Sequence, residues 1–339
     1  MNIIVFDLEW NQSPIGQAGE HPRMPFEIIE IGAVKLDEHY HIIDEFRRLI
    51  KPKLYPTLHK YIRNILNYDE KELRKSGVDF KVACSDFLRW CETDESIEVE
   101  DGVTVKVPYS FCTWGPSDLN YLQTNMDFYR MEKLPFPLKF YDIQQIYADK
   151  FSKDKTICKL EKAVERLKIE HSRPFHAAVN DAYYTAMVLQ KGHFGNIEEK
   201  FTFDVYRHPK NQDESITEFH NKVLDHISGE YDSRCDAMND PELLTIRCSR
   251  CGGKTTKRID WFQNSSGVEY AVGRCFRHGN MLASMRFKPA SDSSTRIFAV
   301  KKIVPISKTR YKEVKAKHDQ IEAKQREKYM NYRRKKNMK

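Results

Sequence analysis

The apolar positions along this chain change their period several times, and those changes mark its elements. Residues 3–9, "IIVFDLE", form a nearly continuous apolar run of the kind that suits a strand buried on both faces. A polar loop carrying Pro and Gly follows over 12–25. Two further β-rich segments, "EIIEIGAVKL" at 27–36 and "HIIDEFRRLI" at 41–50, then predict a meander. Helical patterns take over at 57–66 and 80–91. Residues 94–108 are acidic and contain one Asp-Gly pair, which predicts a surface hairpin. A strand over 109–113 precedes helices expected from Ser117 onward, over 141–150, over 159–169 and over 177–190. In "KLEKAVERLKI" the apolar residues Leu160, Ala163, Val164 and Leu167 share one helical face. Strands first, then strands mixed with helices, predict an α/β layer fold that closes near residue 192.

Beyond that point the pattern loosens. Residues 193–242 read as a polar connector with one helix expected over 216–227. Short alternating segments return over 243–306 and predict a second, small β-rich module. Residues 307–339 are rich in Lys, Glu, Gln and Ala, which predicts a helical tail. Its apolar positions, Val314, Ile321 and Met330, are too sparse to bury well. A chain of 339 residues is in any case too long for one compact core.

Composition changes this picture in three places. The N-terminus has no basic region followed by a long apolar run, and no apolar run is long enough to cross a bilayer. A soluble, cytoplasmic protein without a membrane partner is therefore expected. Eight cysteines in such a chain are not expected to form a disulfide framework. The net charge of +7 is unevenly placed: residues 301–339 hold 15 basic against 4 acidic side chains, so the remainder of the chain is net negative. A basic arm of this kind suits a polyanionic partner, either nucleic acid or a ribonucleoprotein.

Candidate chemistry begins inside the first strand. Asp7 and Glu9 interrupt an apolar run, and side chains two apart on a strand share a face. Paired carboxylates repel unless a cation lies between them, and hard oxygen donors favour Mg²⁺ or Mn²⁺. In "CTWGPSDLNYL", Gly115-Pro116 ends a strand and Ser117-Asp118 opens a helix, where Asp118 also suits the helix dipole. In "RPFHAAVNDAYYTAMVLQ", His176 precedes a helix carrying Asp181. Five residues of helix would turn the two side chains to different faces. Both reach one site only if His176 lies in the loop, which Pro174 favours.

A second constellation lies downstream. "CSRCGG" and "CFRH" place Cys248, Cys251, Cys275 and His278 in a Cys-x2-Cys-x23-Cys-x2-His pattern. Four such ligands in two knuckles suit one tetrahedral, structural Zn²⁺, a zinc ribbon. A redox pair at Cys248 and Cys251 is the alternative, but it leaves Cys275 and His278 unexplained. Lys254, Lys257, Arg258, Arg274 and Arg277 make the module basic, fit either to contact phosphates or to brace the first domain.

The order Asp-x-Glu, Asp, His-x4-Asp resembles the DEDDh branch of the DnaQ-like 3′→5′ exonucleases, over residues 1–192 and nearest to the KapD-like and Eri-like members. "FDLEWNQ" matches the first motif, "WGPSDLNYL" the second and "HAAVNDAYYTA" the third. Trp10 and Asn11 depart from it, since smaller residues are common there. The resemblance implies an RNase H-like mixed sheet flanked by helices, followed here by the zinc ribbon and the basic helical tail. It implies two metals, with Asp7 bridging them, Glu9 and Asp181 completing the first site and Asp118 supporting the second. His176 would take a proton from water, a task that suits imidazole near neutrality. Trp10 and Leu119 would meet the terminal bases. The implied activity is 3′→5′ hydrolysis of single-stranded RNA or RNA 3′ overhangs, releasing nucleoside 5′-monophosphates. The alternatives are a DNA exonuclease for repair or proofreading, and a nucleic-acid or ribosome-binding module with a residual nuclease site.

Overall fold

The computed structural model describes residues 1–339 except 67–69, 93–95, 99–103, 107, 153–155, 291–294 and 338–339. The chain divides into two compact units, Met1–Tyr206 and Arg207–Lys339. The boundary falls later than residue 192 because residues 193–206 pack onto the first unit: Phe194 and Ile197 enter its core and Thr202–Phe203 adds a strand.

In chain order the first unit contains β1 (Asn2–Gln12), β2 (Phe26–Leu36), β3 (Ile42–Leu49), α1 (Lys60–Leu66), α2 (Glu70–Ser76), α3 (Phe80–Cys91), β4 (Ser96–Glu98), β5 (Thr104–Lys106), β6 (Tyr109–Thr113), α4 (Ser117–Phe128), β7 (Lys139–Asp142), α5 (Ile143–Phe151), α6 (Leu160–Arg166), α7 (Ala178–Lys191) and β8 (Thr202–Phe203). Six strands form one mixed sheet in the order β3-β2-β1-β6-β7-β8. The meander β1-β2-β3 is antiparallel, whereas β6 runs parallel to β1 and β7 parallel to β6. Alternation along β1 sends Ile3 and Val5 into one core, with α5, α6 and α7, and Ile4, Phe6 and Leu8 into another, with α3 and α4. β1 is therefore covered on both faces, as its apolar run predicts.

Two local expectations change. The helix expected over 141–150 begins only at Ile143, because Tyr141 and Asp142 belong to β7 and the Asp142 carboxylate caps α5 by accepting from the Gln145 N–H at 3.0 Å. β4 and β5 pair as the hairpin expected over 94–108, while its Asp101-Gly102 turn lies outside the described residues.

The second unit contains β9 (Ile216–His220), β10 (Val223–Tyr231), α8 (Arg234–Asn239), α9 (Pro241–Leu244), β11 (Thr256–Gln263), β12 (Glu269–Cys275), β13 (Gly279–Pro289), β14 (Ile297–Pro305) and α10 (Lys308–Asn337). Its sheet is six-stranded and antiparallel, in the order β11-β12-β13-β14-β10-β9. The helix expected over 216–227 is instead the β9-β10 hairpin. Asn221 and Lys222 both have positive φ, 42° and 64°, between the paired residues His220 and Val223, which is the backbone of a two-residue hairpin turn. Much of the expected connector is thus strand in a larger sheet than a small ribbon.

The tail also departs from expectation. Tyr311, Val314, His318 and Ile321 are spaced three, four and three residues apart and line one narrow stripe of α10. That stripe packs on the sheet face made by Ile259, Phe262, Val272 and Leu282, leaving Val314 only 7% exposed. The His318 ring meets Phe262 edge-on at 5.1 Å. Four apolar or aromatic residues suffice because the sheet supplies the rest of the buried surface. Further along, Tyr329 and Met330 are exposed. Among the described residues no helix is long and apolar enough to cross a membrane.

Candidate active site

Charged side chains inside a buried sheet need partners, and the partners differ along β1 and β2. Glu27 on β2 is buried and accepts from the backbone N–H groups of Lys53, Leu54 and Tyr55 at 2.7–2.9 Å. Glu30, also buried, accepts from Arg47 Nε at 2.7 Å. Asn11 donates to the carbonyls of Tyr55 and Thr57 and accepts from the His59 N–H, so it anchors that loop. Among the described residues no Lys or Arg forms an ion pair with Asp7, Glu9 or Asp181. The Asp181 Oδ1 atom is buried without any hydrogen-bond partner.

Those three carboxylates converge. Each of Asp7, Glu9 and Asp181 offers an oxygen, and these atoms lie within 4.8 Å of one another. β1 supplies the first two, opposite Gly32 and Glu30 of β2, and a bulge between Glu9 and Trp10 ends the regular register immediately after them. α7 supplies the third from its first turn. Its close approach depends on Gly32: a Cβ there would lie 1.9 Å from the Val179 nitrogen and 2.2 Å from the Ala178 carbonyl carbon. Those are backbone atoms and cannot rotate aside. We therefore expect Gly32→Ala to push the start of α7 off the sheet, lowering thermal stability and cutting exonuclease turnover by about 100-fold, the order of loss that follows a misplacement of about 1 Å. A melting curve and a steady-state assay on the same preparation check this; unchanged rates would mean that the helix start does not position Asp181.

Asp118 joins from the opposite side of β1. β6 pairs with β1 only as far as Val5 and Cys112, so the Leu8 N–H has no strand partner on that edge. Asp118 Oδ1, in the first turn of α4, accepts it at 3.1 Å. The residue is 5% exposed. His176 lies in the loop before α7 with φ at 67°, a left-handed conformation unusual for a residue with a side chain. Its backbone N–H donates to Asp181 Oδ2 at 3.3 Å, and its Nε2 is 4.0 Å from Glu161 Oε1. The ring is about half exposed, at the mouth of the carboxylate cluster's helix rather than inside the cluster.

Burial and mutual repulsion dominate the electrostatics. Burial, then the charges of Asp118, Glu9, Asp181 and Glu30, pushes the Asp7 carboxyl well above the usual range. Burial and the neighbouring Asp181 and Glu30 push Glu9 up to about 9. Burial raises Asp118 and Asp181 to about 7 each, against the hydrogen bonds from backbone N–H groups that favour their charged forms. Hard carboxylate oxygens gathered in this way are a donor set that could hold a divalent cation.

Two residues expected at the substrate sit differently. Leu119 is fully buried in the core with Phe6, Phe87 and Phe111, so its side chain offers no surface to a base. Trp10 is half-buried, its ring 4.6 Å from Tyr121 and 6.2 Å from Phe26. The residues beside the cluster that sequence reasoning passed over are Glu30 and Gly32. A buried Glu in "EIIEIGAV" poses the same question as Asp7 and Glu9, and the fold answers it with Arg47.

A family model described as Exonuclease (RNase_T) matches residues 4–189, more than half of the chain. The chain belongs to the exonuclease family. Its first unit is a 3′-5′ exonuclease domain. Among curated relatives it is 28% identical over 184 residues to the Probable 3′-5′ exonuclease KapD of Bacillus subtilis (strain 168), covering 53% of this chain and 79% of that one. It is 23% identical over 190 residues to human 3′-5′ exoribonuclease 1, covering 54% of this chain and 52%, about half, of that protein. Of solved structures, the nuclease domain of 3′hExo bound to rAMP superposes with a TM-score of 0.46 at 20% identity, over 56% of this chain and 90% of that one.

In the second unit, ligand atoms of Cys248, Cys251, Cys275 and His278 also lie within 4.8 Å of one another. Cys248 Sγ is 3.4 Å and Cys275 Sγ 3.7 Å from His278 Nδ1, and Cys251 and Cys275 are 3.8 Å apart at sulfur. Gly252 at φ 70° lets the first knuckle turn back, its N–H donating to the Cys248 carbonyl at 2.8 Å. The Arg250 N–H donates to Cys248 Sγ at 3.4 Å. The His278 N–H and neighbouring donors hold the Cys275 thiol down to about 6, favouring the thiolate.

Proposed function

We propose that the first unit removes nucleotides from the 3′ end of single-stranded RNA, or of RNA 3′ overhangs, by a two-metal mechanism that releases nucleoside 5′-monophosphates. The observation that carries this reading is the convergence of Asp7, Glu9 and Asp181 without a cationic protein partner, the Asp181 Oδ1 atom being left with no hydrogen bond at all. Asp7, Glu9 and Asp181 would hold one divalent cation, and Asp7 with Asp118 a second. Bound Mg²⁺ or Mn²⁺ would supply charge neutralisation at the attacking and leaving oxygens. His176, in the exposed loop, takes the proton from the attacking water as the phosphodiester bond opens and the 3′ oxygen departs. Trp10, beside Tyr121, offers an aromatic edge for the terminal base. The name of the human relative, an exoribonuclease, supports RNA over DNA.

The test offers matched 5′-labelled RNA and DNA single strands to the full chain with Mn²⁺. RNA should shorten from its 3′ end, faster than DNA; faster DNA shortening would overturn the RNA assignment, and no shortening the activity. In the same assay His176→Ala should lose most of the rate, about 100-fold or more. A variant that cleaves normally would make the histidine structural.

The Cys3His cluster supports one structural Zn²⁺. Zn–S bonds of about 2.3 Å in a tetrahedron place sulfurs ~3.8 Å apart, and Cys251 and Cys275 have that separation. The basic arm is the distal part of α10 with the residues that follow it in sequence: residues 323–339 hold eight Lys and Arg against one Glu. It would steer substrate or a ribonucleoprotein partner and release counterions. Truncation after Glu322, which spares the docked stripe, should weaken binding to long RNA and flatten the dependence of log affinity on log salt. The same affinity and slope would give the arm another role.

A further inference from the structure

The two Cys/His knuckles carry a surface that the cluster itself does not require. Phe276, between Cys275 and Arg277, is 100% exposed, the most exposed large apolar side chain among the described residues. A fully hydrated phenylalanine gains nothing from folding, and its backbone is anchored on both sides by Cys275 and His278. A second ring, Phe219, stands 48% exposed beside the first knuckle, 3.8 Å from where a Cβ on Gly252 would sit.

Charge surrounds these rings with one sign. Residues 247–258 and 274–278 together contain seven Lys and Arg and no Asp or Glu. Two of the seven are engaged, Arg247 with Glu242 and Lys257 with Asp260. Arg250, Lys254, Arg258, Arg274 and Arg277 are exposed, and none makes an ion pair among the described residues. A protein partner's apolar patch would complement the rings but leave five cations to be matched. A flexible polyanion with π-faces complements both at once: bases stack on aromatic rings while phosphates meet the cations, without any demand for sequence.

We propose that the knuckle surface centred on Phe276 is a single-stranded nucleic-acid platform, with one base stacked on the Phe276 ring and the flanking phosphates held by Arg274, Arg277 and Arg250. This rests on the reading of the first unit as an exonuclease only for its biological sense; the platform binds strand whether or not the strand is cut. A site of this kind gives long strands a second hold on the protein and leaves the shortest substrates unaffected.

The experiment uses the full chain carrying Asp7→Asn, so that bound strand survives, and a 20-nucleotide oligouridylate. Binding is read by anisotropy at fixed salt, and contact by photocrosslinking from 4-thiouridine with peptide mapping. Phe276→Ala should weaken binding about tenfold and abolish the crosslink to the 274–278 peptide, while Phe276→Trp retains both. Zinc content by elemental analysis, unchanged in both variants, shows that the knuckles remain folded. In the Asp7-intact chain Phe276→Ala should leave dinucleotide cleavage at the parental rate, so absent cleavage there would count against the exonuclease reading and not against the platform. Equal affinity for the oligonucleotide before and after the Phe276→Ala change, or a crosslink that never maps to 274–278, overturns the proposal and assigns the exposed ring to a protein contact.

Discussion

Asp7→Asn should lower exonuclease turnover by about a thousandfold, some 4 kcal/mol of barrier, while the protein remains folded. The substitution keeps the shape of the side chain and removes a charge that interacts with all the others: Glu9, Asp118, Asp181 and Glu30 each raise the Asp7 carboxyl. Without a divalent cation the same change should stabilise the protein, because one member of a repelling set is gone. The pH dependence follows from the direction of the shifts. Glu9, at about 9, and Asp118 and Asp181, at about 7, hold protons more tightly in the folded chain than in the unfolded one. Their ionisation therefore favours unfolding. In chelator, the cluster's contribution to stability should be fully present below the ordinary carboxylate range and be lost as pH rises through 7 and on towards 9. Mn²⁺ should remove most of that loss by binding the ionised cluster, and Asp7→Asn should make it smaller. Melting temperatures between pH 5 and 9, with and without Mn²⁺, test all three statements. Undiminished turnover in the variant would falsify the two-metal assignment.

Cys248→Ser should cost the second unit the proposed Zn²⁺ and, with it, much of its stability. Cys248 is completely buried, with its sulfur 3.4 Å from His278 Nδ1 and from the Arg250 N–H. A serine hydroxyl there is shorter, harder and a poor thiolate substitute. Metal affinity in such sites is folding free energy, so the knuckles should open when it is lost. Elemental analysis should find one zinc per chain in the parent purified without chelators and none in the variant. Limited proteolysis should then cut within residues 243–306, while Met1–Tyr206 stays resistant. A parent without zinc would leave the cluster as three thiols and an imidazole and remove the basis for the expected effect.

How far the site was legible depended on whether its chemistry is local. Asp7 and Glu9 stand out because two charges in an apolar run violate the rule for a buried strand, and the Cys-x2-Cys and Cys-x2-His pairs stand out by their spacing alone. The need for His176 to lie in a loop follows from helix geometry, and the loop is where it sits. Glu27 and Glu30 violate the buried-strand rule equally, yet their answers, three backbone N–H groups and Arg47, come from residues 17 to 28 positions away. Only the fold separates a carboxylate answered by protein from one left for a cation.

By itself, then, the sequence determined those features whose cause lies within a few neighbouring residues: the strand meander, most helices of the first unit, the candidate acidic and thiol clusters, and the charge of the tail. Tertiary structure decided the rest because long-range pairing overrides local period. Residues 216–227 suit a helix by spacing but become a hairpin, since β14 offers β10 a partner edge and Asn221-Lys222 can close the turn. α10 carries too narrow a stripe to bury by its own pattern, and it docks because Ile259, Phe262 and Leu282 supply the opposing face. Leu119, next to Asp118, lies in the core because α4 turns Asp118 towards Leu8 and its neighbour inward. Gly32 has no signature beyond being glycine, and its necessity appears only where the backbone of α7 crosses it.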